Sequence, residues 1–438
     1  MRWLTAAGLA LAWALAGAAP VSAFDGFGEI TADSTYDTEV RFEVAFSGTE
    51  PDRLELLLRT PGSEASFVVP VEADDGEAEY VWDTSLDYVT PNTLVTYRWR
   101  AIDGDEAVLS EEATIRYADD RPRLDWQTAQ LGETTVHWYG DAEAQALRFG
   151  EVAAIGVEQG EALLGTELAG PVDVFVYDEQ ADFFSAIGPG AREWTGAAAF
   201  SEIRTIFMWL GQNDPAFLET AMVHEIMHIV FFDATDNPYH EPATWVNEGI
   251  AVWAEIGDGA GATAFVAEQA AAGGLFAFDA ISERFPIGDL GGSLSYAQGA
   301  SMIDFIIDSY GREAIARMTA AYRDGASDEE ALEAATGIAA EELYVAFYAQ
   351  FGVDPPTPVQ PVPIAPSDVD RPAPGTVDPG GVNGAPAVPP AEPPAAQPIP
   401  RATSVEPWVL LAALAAGVAL AVTLAVLVAR WAERRATR

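Results

Sequence analysis

The sequence predicts a multidomain chain: an all-β sandwich, then an α+β domain, a Pro-rich stalk and one transmembrane helix. Three observations carry this. Residues 24–118 read as short alternating strands separated by turn residues. Residues 119–352 mix apolar strands with long helical stretches. Beyond them the composition turns to proline and then to an unbroken apolar run. A length of 438 residues allows two or three domains.

Composition narrows the function classes before any motif does. The 22 basic residues are all Arg, and against 68 acids they leave a net charge of −46. Residues 24–407 hold 17 Arg and 67 acids, a net −50 (17 minus 67). Such a surface repels phosphate backbones, so no nucleic-acid partner is expected. It serves solubility, and leaves cationic or Ca²⁺-linked partners open. Without Cys there are no disulfides, thiolate zinc sites or thiol catalysis. Four His leave a narrow choice of metal ligands and bases. The missing Lys and abundant Ala and Gly fit a GC-rich bacterial genome.

Taken in order, residues 1–23 carry Arg2 behind Met1, continue through an apolar run and end in small residues, the pattern of a signal peptide. The alternative, an N-terminal anchor, needs a longer run. In 38–46, Val40, Phe42, Val44 and Phe46 share one face of a strand. Further strands are expected at 54–59, 65–71, 78–82 and 93–101, with turns at Pro61-Gly62, Asp74-Asp75-Gly76 and Asp103-Gly104-Asp105. The stretch 91–104 resembles the late strands of fibronectin type III or immunoglobulin-like (Ig-like) modules; its role is read as a spacer or packing partner in preference to ligand binding.

In 119–352 strands are expected at 134–139, 172–177 and 203–210, and a helix from Asp141 to about Leu164. The rest is mostly helical, with a capping box at Ser327–Glu330 and stops at Gly311 and Gly337. Residues 353–407 carry 17 Pro and no aromatic, so they form an extended stalk of roughly 170 Å at full length. Residues 408–429 are 22 uncharged positions, enough to cross a bilayer, and the 430–438 tail holds Arg430, Arg434, Arg435 and Arg438. Together these predict a single-pass type I protein of the cell membrane, its larger part extracellular.

The chemistry lies in one helix and the next. Asn213-Asp214-Pro215 offers an N-cap and a first-turn proline. His224 and His228 follow four apart, so both imidazoles leave one face and can hold one metal ion. Glu225 sits beside them, placed to accept a proton from water. Glu248, twenty positions after His228, supplies a third ligand from a second helical stretch, leaving a fourth position for water.

His-Glu-Ile-Met-His with Asn-Glu-Gly twenty residues on resembles the gluzincin zinc metallopeptidases. The segment 245–255 is similar to that of the aminopeptidase N type, and 119–352 resembles bacterial peptidase MA-like domains. The resemblance implies one Zn²⁺ held by His224, His228 and Glu248 in a zincin-type metallopeptidase domain, with Glu225 as general base. It implies Glu255 and Asn247 as partners behind the ligands. Ser295-Tyr296-Ala-Gln298-Gly299 resembles the Tyr-x-Lys-Gly turn that stabilises the oxyanion, with Gln298 in place of Lys; Tyr296 would be its donor, or else packs a helix start. The aminopeptidase Gly-x-Met-Glu-Asn strand has its nearest match at 196–201, which lacks the acid that grips a free amino terminus. Endopeptidase action on a peptide or protein substrate is therefore expected, unless Glu193 or Glu202 replaces that acid.

Other residues carry less. His240 can contact substrate or lie solvated in a loop, and His137 is read as structural. Asp103-Gly104-Asp105 and Asp258-Gly259 are weak Ca²⁺ candidates without a full ligand spacing. The rival reading of the whole is a surface-tethered binding or adhesion protein on a silent peptidase fold. Oligomeric state and substrate are not set by the sequence.

Overall fold

The computed structural model describes residues 24–357, apart from 64, 189–195, 212–214, 258–259 and 287–288. Alternating side chains first build two antiparallel sheets. The strands run β1 (Phe24–Thr35), β2 (Glu39–Gly48), β3 (Arg53–Arg59), β4 (Phe67–Val71), β5 (Ala73–Asp74), β6 (Glu77–Asp83), β7 (Thr93–Asp103), β8 (Glu106–Leu109) and β9 (Ala113–Tyr117). One sheet has the order β1-β2-β6-β5; the other is β4-β3-β7-β8, with β9 also on β7. Val40, Phe42 and Val44 from β2 meet Leu54, Leu56 and Leu58 from β3 and Val95, Tyr97 and Trp99 from β7 in one core. This is the period-2 pattern of strands with one buried face.

The α+β region that follows carries a third sheet, ordered β10-β11-β12-β14-β13. Its strands are β10 (Gln127–Leu131), β11 (Thr134–Trp138), β12 (Val172–Tyr177), β13 (Ala197–Phe200) and β14 (Thr205–Trp209). β11, β12 and β14 are parallel; β10 and β13 are antiparallel edges. Val172, Val174 and Val176 turn to the large helical core, whereas Phe175 and Tyr177 turn to a smaller aromatic cluster on the other face. Among the helices are α1 (Glu143–Leu164), α2 (Gln180–Ile187), α3 (Pro215–Thr235), α4 (Thr244–Ile256), α5 (Ala260–Ala271), α6 (Asp289–Tyr310), α7 (Glu313–Arg323), α8 (Asp328–Thr336) and α9 (Ala340–Ala349). Ser327 and Glu330 form the expected capping box of α8, and Gly337 closes it in the left-handed conformation.

The β-rich region is bonded to the α+β region, not loosely strung to it. Asn92 donates to Asp173 at 3.0 Å and to Thr205 at 2.8 Å. The Tyr88 hydroxyl donates to the Ala186 carbonyl at 2.5 Å, and Tyr36 and Ser185 hydroxyls meet at 2.9 Å.

One expectation is corrected. No helix among the described residues is long and apolar enough to cross a membrane, so a single-pass type I membrane protein is not supported. The long helices are interrupted by charge: Glu151, Glu158 and Glu161 in α1, Glu219, Glu225 and Asp233 in α3, Asp304 and Asp308 in α6. The expected signal peptide at 1–23, nearly all of the stalk, the 408–429 run, the 430–438 tail and Asn213-Asp214 lie outside the described residues.

Candidate active site

α3 is apolar nearly all round, and Met222, Ile226, Ile229 and Val230 are fully buried. The few polar side chains on such a helix must find partners inside the fold. His224 and His228, one turn apart, project toward α4. Their Nε2 atoms stand 3.4 and 3.5 Å from the same Glu248 oxygen. With Glu248 they form the group of the described residues able to hold one metal ion, the donor atoms lying within 4.8 Å of one another.

The rings are held from behind. His224 Nδ1 is 3.2 Å from Glu255 and His228 Nδ1 is 2.8 Å from the Asn247 side-chain oxygen. Each pairing directs Nε2 into the site. Burial would push His224 down, but Glu248 and Glu255 outweigh it and raise its pKa to about 10. At His228 burial and Glu248 compete in the same way, with a net rise. Burial would raise Glu248; the two imidazoles instead draw it down to about 2, so it stays a carboxylate.

The other candidate residues fall on either side. Glu225 accepts a hydrogen bond of 2.8 Å from the Ala199 backbone N–H, which ties its carboxylate to the β13 edge. That donor is a main-chain group, so no side-chain pattern announced it. The Tyr296 ring lies 6.4 Å from the His224 ring and edge-on to Phe285 at 4.9 Å. Tyr296 does not start a helix: α6 begins at Asp289, and Gly291 and Gly292 lie within its first turn. Gln298 is fully buried and brackets Phe276 through its N–H and C=O, at 3.0 and 2.7 Å.

α4 and α6 reach this closeness through two glycines. A Cβ on Gly249 would stand 2.6 Å from the Gly299 carbonyl carbon, and one on Gly299 2.6 Å from the Trp245 carbonyl oxygen. The backbones therefore touch, which brings the helix that carries Tyr296 close beside the one that carries Glu248. His240 and His137 lie elsewhere. His240 stacks on Tyr322 and faces Asp328 at 3.4 Å; His137 bonds Asp173 at 2.7 Å and stacks on Phe175. Asp103–Asp105 form the β7–β8 turn, whose Gly104 N–H is bonded to Asp52, and Asp258-Gly259 lies outside the described residues.

Residues 153–350 match the family model of the Peptidase MA superfamily. The match supports a gluzincin-like metallopeptidase domain. Among solved structures, the chain is similar to a mutant M1 zinc metallopeptidase from Deinococcus radiodurans bound to a Tyr-Ser-Ala substrate. The identity is 14%, over 73% of this chain and 90% of that one, with a TM-score of 0.34. It is similar also to a two-domain M1 zinc metallopeptidase mutant bound to L-tryptophan, at 12% identity over 73% and 91%, with a TM-score of 0.33. A bromine derivative of BhCBM56 aligns over 20% of this chain and 88% of its own, at 15% identity and a TM-score of 0.17. A comparison with curated proteins gives no match.

Proposed function

We propose that the chain is a zinc-dependent endopeptidase. The observation that carries this is the Glu248 oxygen facing both imidazoles: it is buried and makes no hydrogen bond of its own. A carboxylate oxygen set 3.4 and 3.5 Å from two ring nitrogens, too far for a close bond to either, leaves room for one cation among the three donors. Two nitrogens and one oxygen are the donor set that suits catalytic zinc. A zinc ion held by His224, His228 and Glu248 would polarise the scissile carbonyl and acidify a water molecule. Glu225, steadied by the Ala199 N–H, takes the water's proton and passes it to the leaving amine. The Tyr296 hydroxyl donates to the oxyanion that develops on the scissile carbonyl.

Endopeptidase action is supported by β13. Apart from the Ala199 N–H that Glu225 holds, this edge strand can pair with the backbone of an extended peptide, and Ala197 to Phe200 carry no acid; Glu202, just beyond, is the alternative holder of a cationic terminus, and Glu193 lies outside the described residues. We read residues 24–118 as an Ig-like module packed beside this domain.

The test combines metal analysis with a digest of N-acetylated peptides. His224→Ala and Glu248→Ala should lose the metal, while Glu225→Gln keeps it and loses cleavage. A Glu225→Gln protein as active as the parent would overturn the general-base role. Strict dependence on a free amino terminus would overturn endopeptidase action.

A further inference from the structure

A cavity of about 630 Å³ opens beside His228 and Asn247, and its two sides come from different parts of the chain. Phe200, Phe231 and Phe232 line it from the α+β region; Phe67, Trp82 and Tyr88 line it from the β-rich region. Phe67 is 70% exposed and Tyr88 41%, an unfavourable placement for aromatic rings unless something covers them. The wall is fixed, since the Tyr88 hydroxyl is bonded to Ala186 and the nearby Asn92 to Asp173 and Thr205. Phe200 ends β13, one residue past the Ala199 N–H that holds Glu225. A peptide laid along β13 with its scissile bond at Glu225 advances about 3.3 Å per residue. Its side chain one or two positions away then comes near Phe200, which lines the cavity.

We infer that this cavity is a specificity subsite, built jointly by the Ig-like module and the catalytic domain, that takes a large apolar or aromatic side chain one or two residues from the scissile bond. The inference rests on the peptidase reading above. It makes the module part of the substrate cleft instead of a spacer. Glu202 and Glu241 also line the cavity, so a cationic side chain is the competing occupant. Six aromatic rings outweigh two carboxylates that reach water at its rim, which favours the apolar one.

The experiment uses the full chain and N-acetylated peptides that differ at one position near the cleaved bond: Phe, Leu, Gly or Arg. For the parent, kcat/KM should favour Phe over Gly by roughly ten-fold or more. That ratio should fall several-fold in Phe67→Ala and in Trp82→Ala. No preference, a preference for Arg, or an unchanged ratio in both variants would overturn the subsite. If Trp82→Ala fails to fold, Phe67→Ala decides, because its ring is mostly outside any core. Calorimetric binding of the Phe and Gly peptides to Glu225→Gln separates this claim from the catalytic one. If nothing is cleaved, the peptidase reading fails by itself, and equal binding of the two peptides then overturns the subsite as well.

Discussion

His224 and His228 each offer one ring nitrogen to Glu248 and the other to an oxygen, on Glu255 and on Asn247. An imidazole freed from such a partner rotates and loses its tautomeric bias. Glu255→Gln and Asn247→Ala should therefore weaken metal binding by about 10–100-fold while the fold persists. Titration against a chelator checks it; unchanged affinity would reduce both residues to packing. A second residue-scale case is Asp182, 2% exposed, which takes hydrogen bonds from Arg123, from Arg121 at 2.9 Å and from Tyr139 at 3.2 Å. The Arg123 guanidinium, helped by Arg121 and opposed by burial, holds its carboxyl below the usual range. With the folded pKa depressed, the pairing stabilises above the unfolded value near ~3.9 and is lost as pH falls through the folded one. Asp182→Asn should thus lower Tm most at neutral pH, with the gap to the parent closing below about pH 4. A gap that stays constant with pH would show that the charge is not what matters. The grouping of four candidate residues was legible because helical spacing brings His224, Glu225 and His228 to one region and Glu248 follows in a recognisable segment. The Ala199 N–H was not, since every residue but proline carries that donor.

Between elements, the crossing of α4 over α6 decides the cleft. Gly249→Ala would drive a methyl group into main-chain atoms that cannot turn aside. Overpacking of this kind costs about 1–3 kcal/mol, and here it also displaces Glu248 from the imidazoles. Reduced Tm with reduced zinc content is the expected result. Gly292→Ala, in the same α6, is the contrast: its Cβ would meet nothing within 4 Å. There the exchange should stabilise by roughly 0.5–1 kcal/mol. Equal effects at the two positions, read by thermal unfolding, would deny the backbone contact. This crossing also explains where sequence reasoning fell short. The apolar strands at β11, β12 and β14 announced themselves by composition. The start of α6 did not, because Gly291 and Gly292 look like breakers although α6 runs through them. β1 alternates glycine and acids with its apolar residues, so its twelve residues show little strand signal.

For the molecule as a whole, the governing feature is the seam between the β-rich and α+β regions. Asn92 holds a left-handed backbone at φ 74° while its side chain reaches two strands of the third sheet. Asn92→Ala would strain that backbone and strip partners from Asp173 and the fully buried Thr205. The sum is about 2–4 kcal/mol. Denaturant unfolding should show one cooperative transition in the parent, shifted to lower denaturant in the variant; two separate transitions would refute a shared unit. A packing role for the module was among the readings of the sequence, but the bonds that make the seam were not legible. Pairs such as 92 with 173 and 205 are polar, single and far apart in sequence, with no periodicity to betray them. The seam also bears on how the molecule is made. Ribosomes release the N-terminal part first. The two-sheet module can thus fold before β12 and β14 have been synthesised, and Asn92 then waits as a preset peg on which the nascent third sheet is hung.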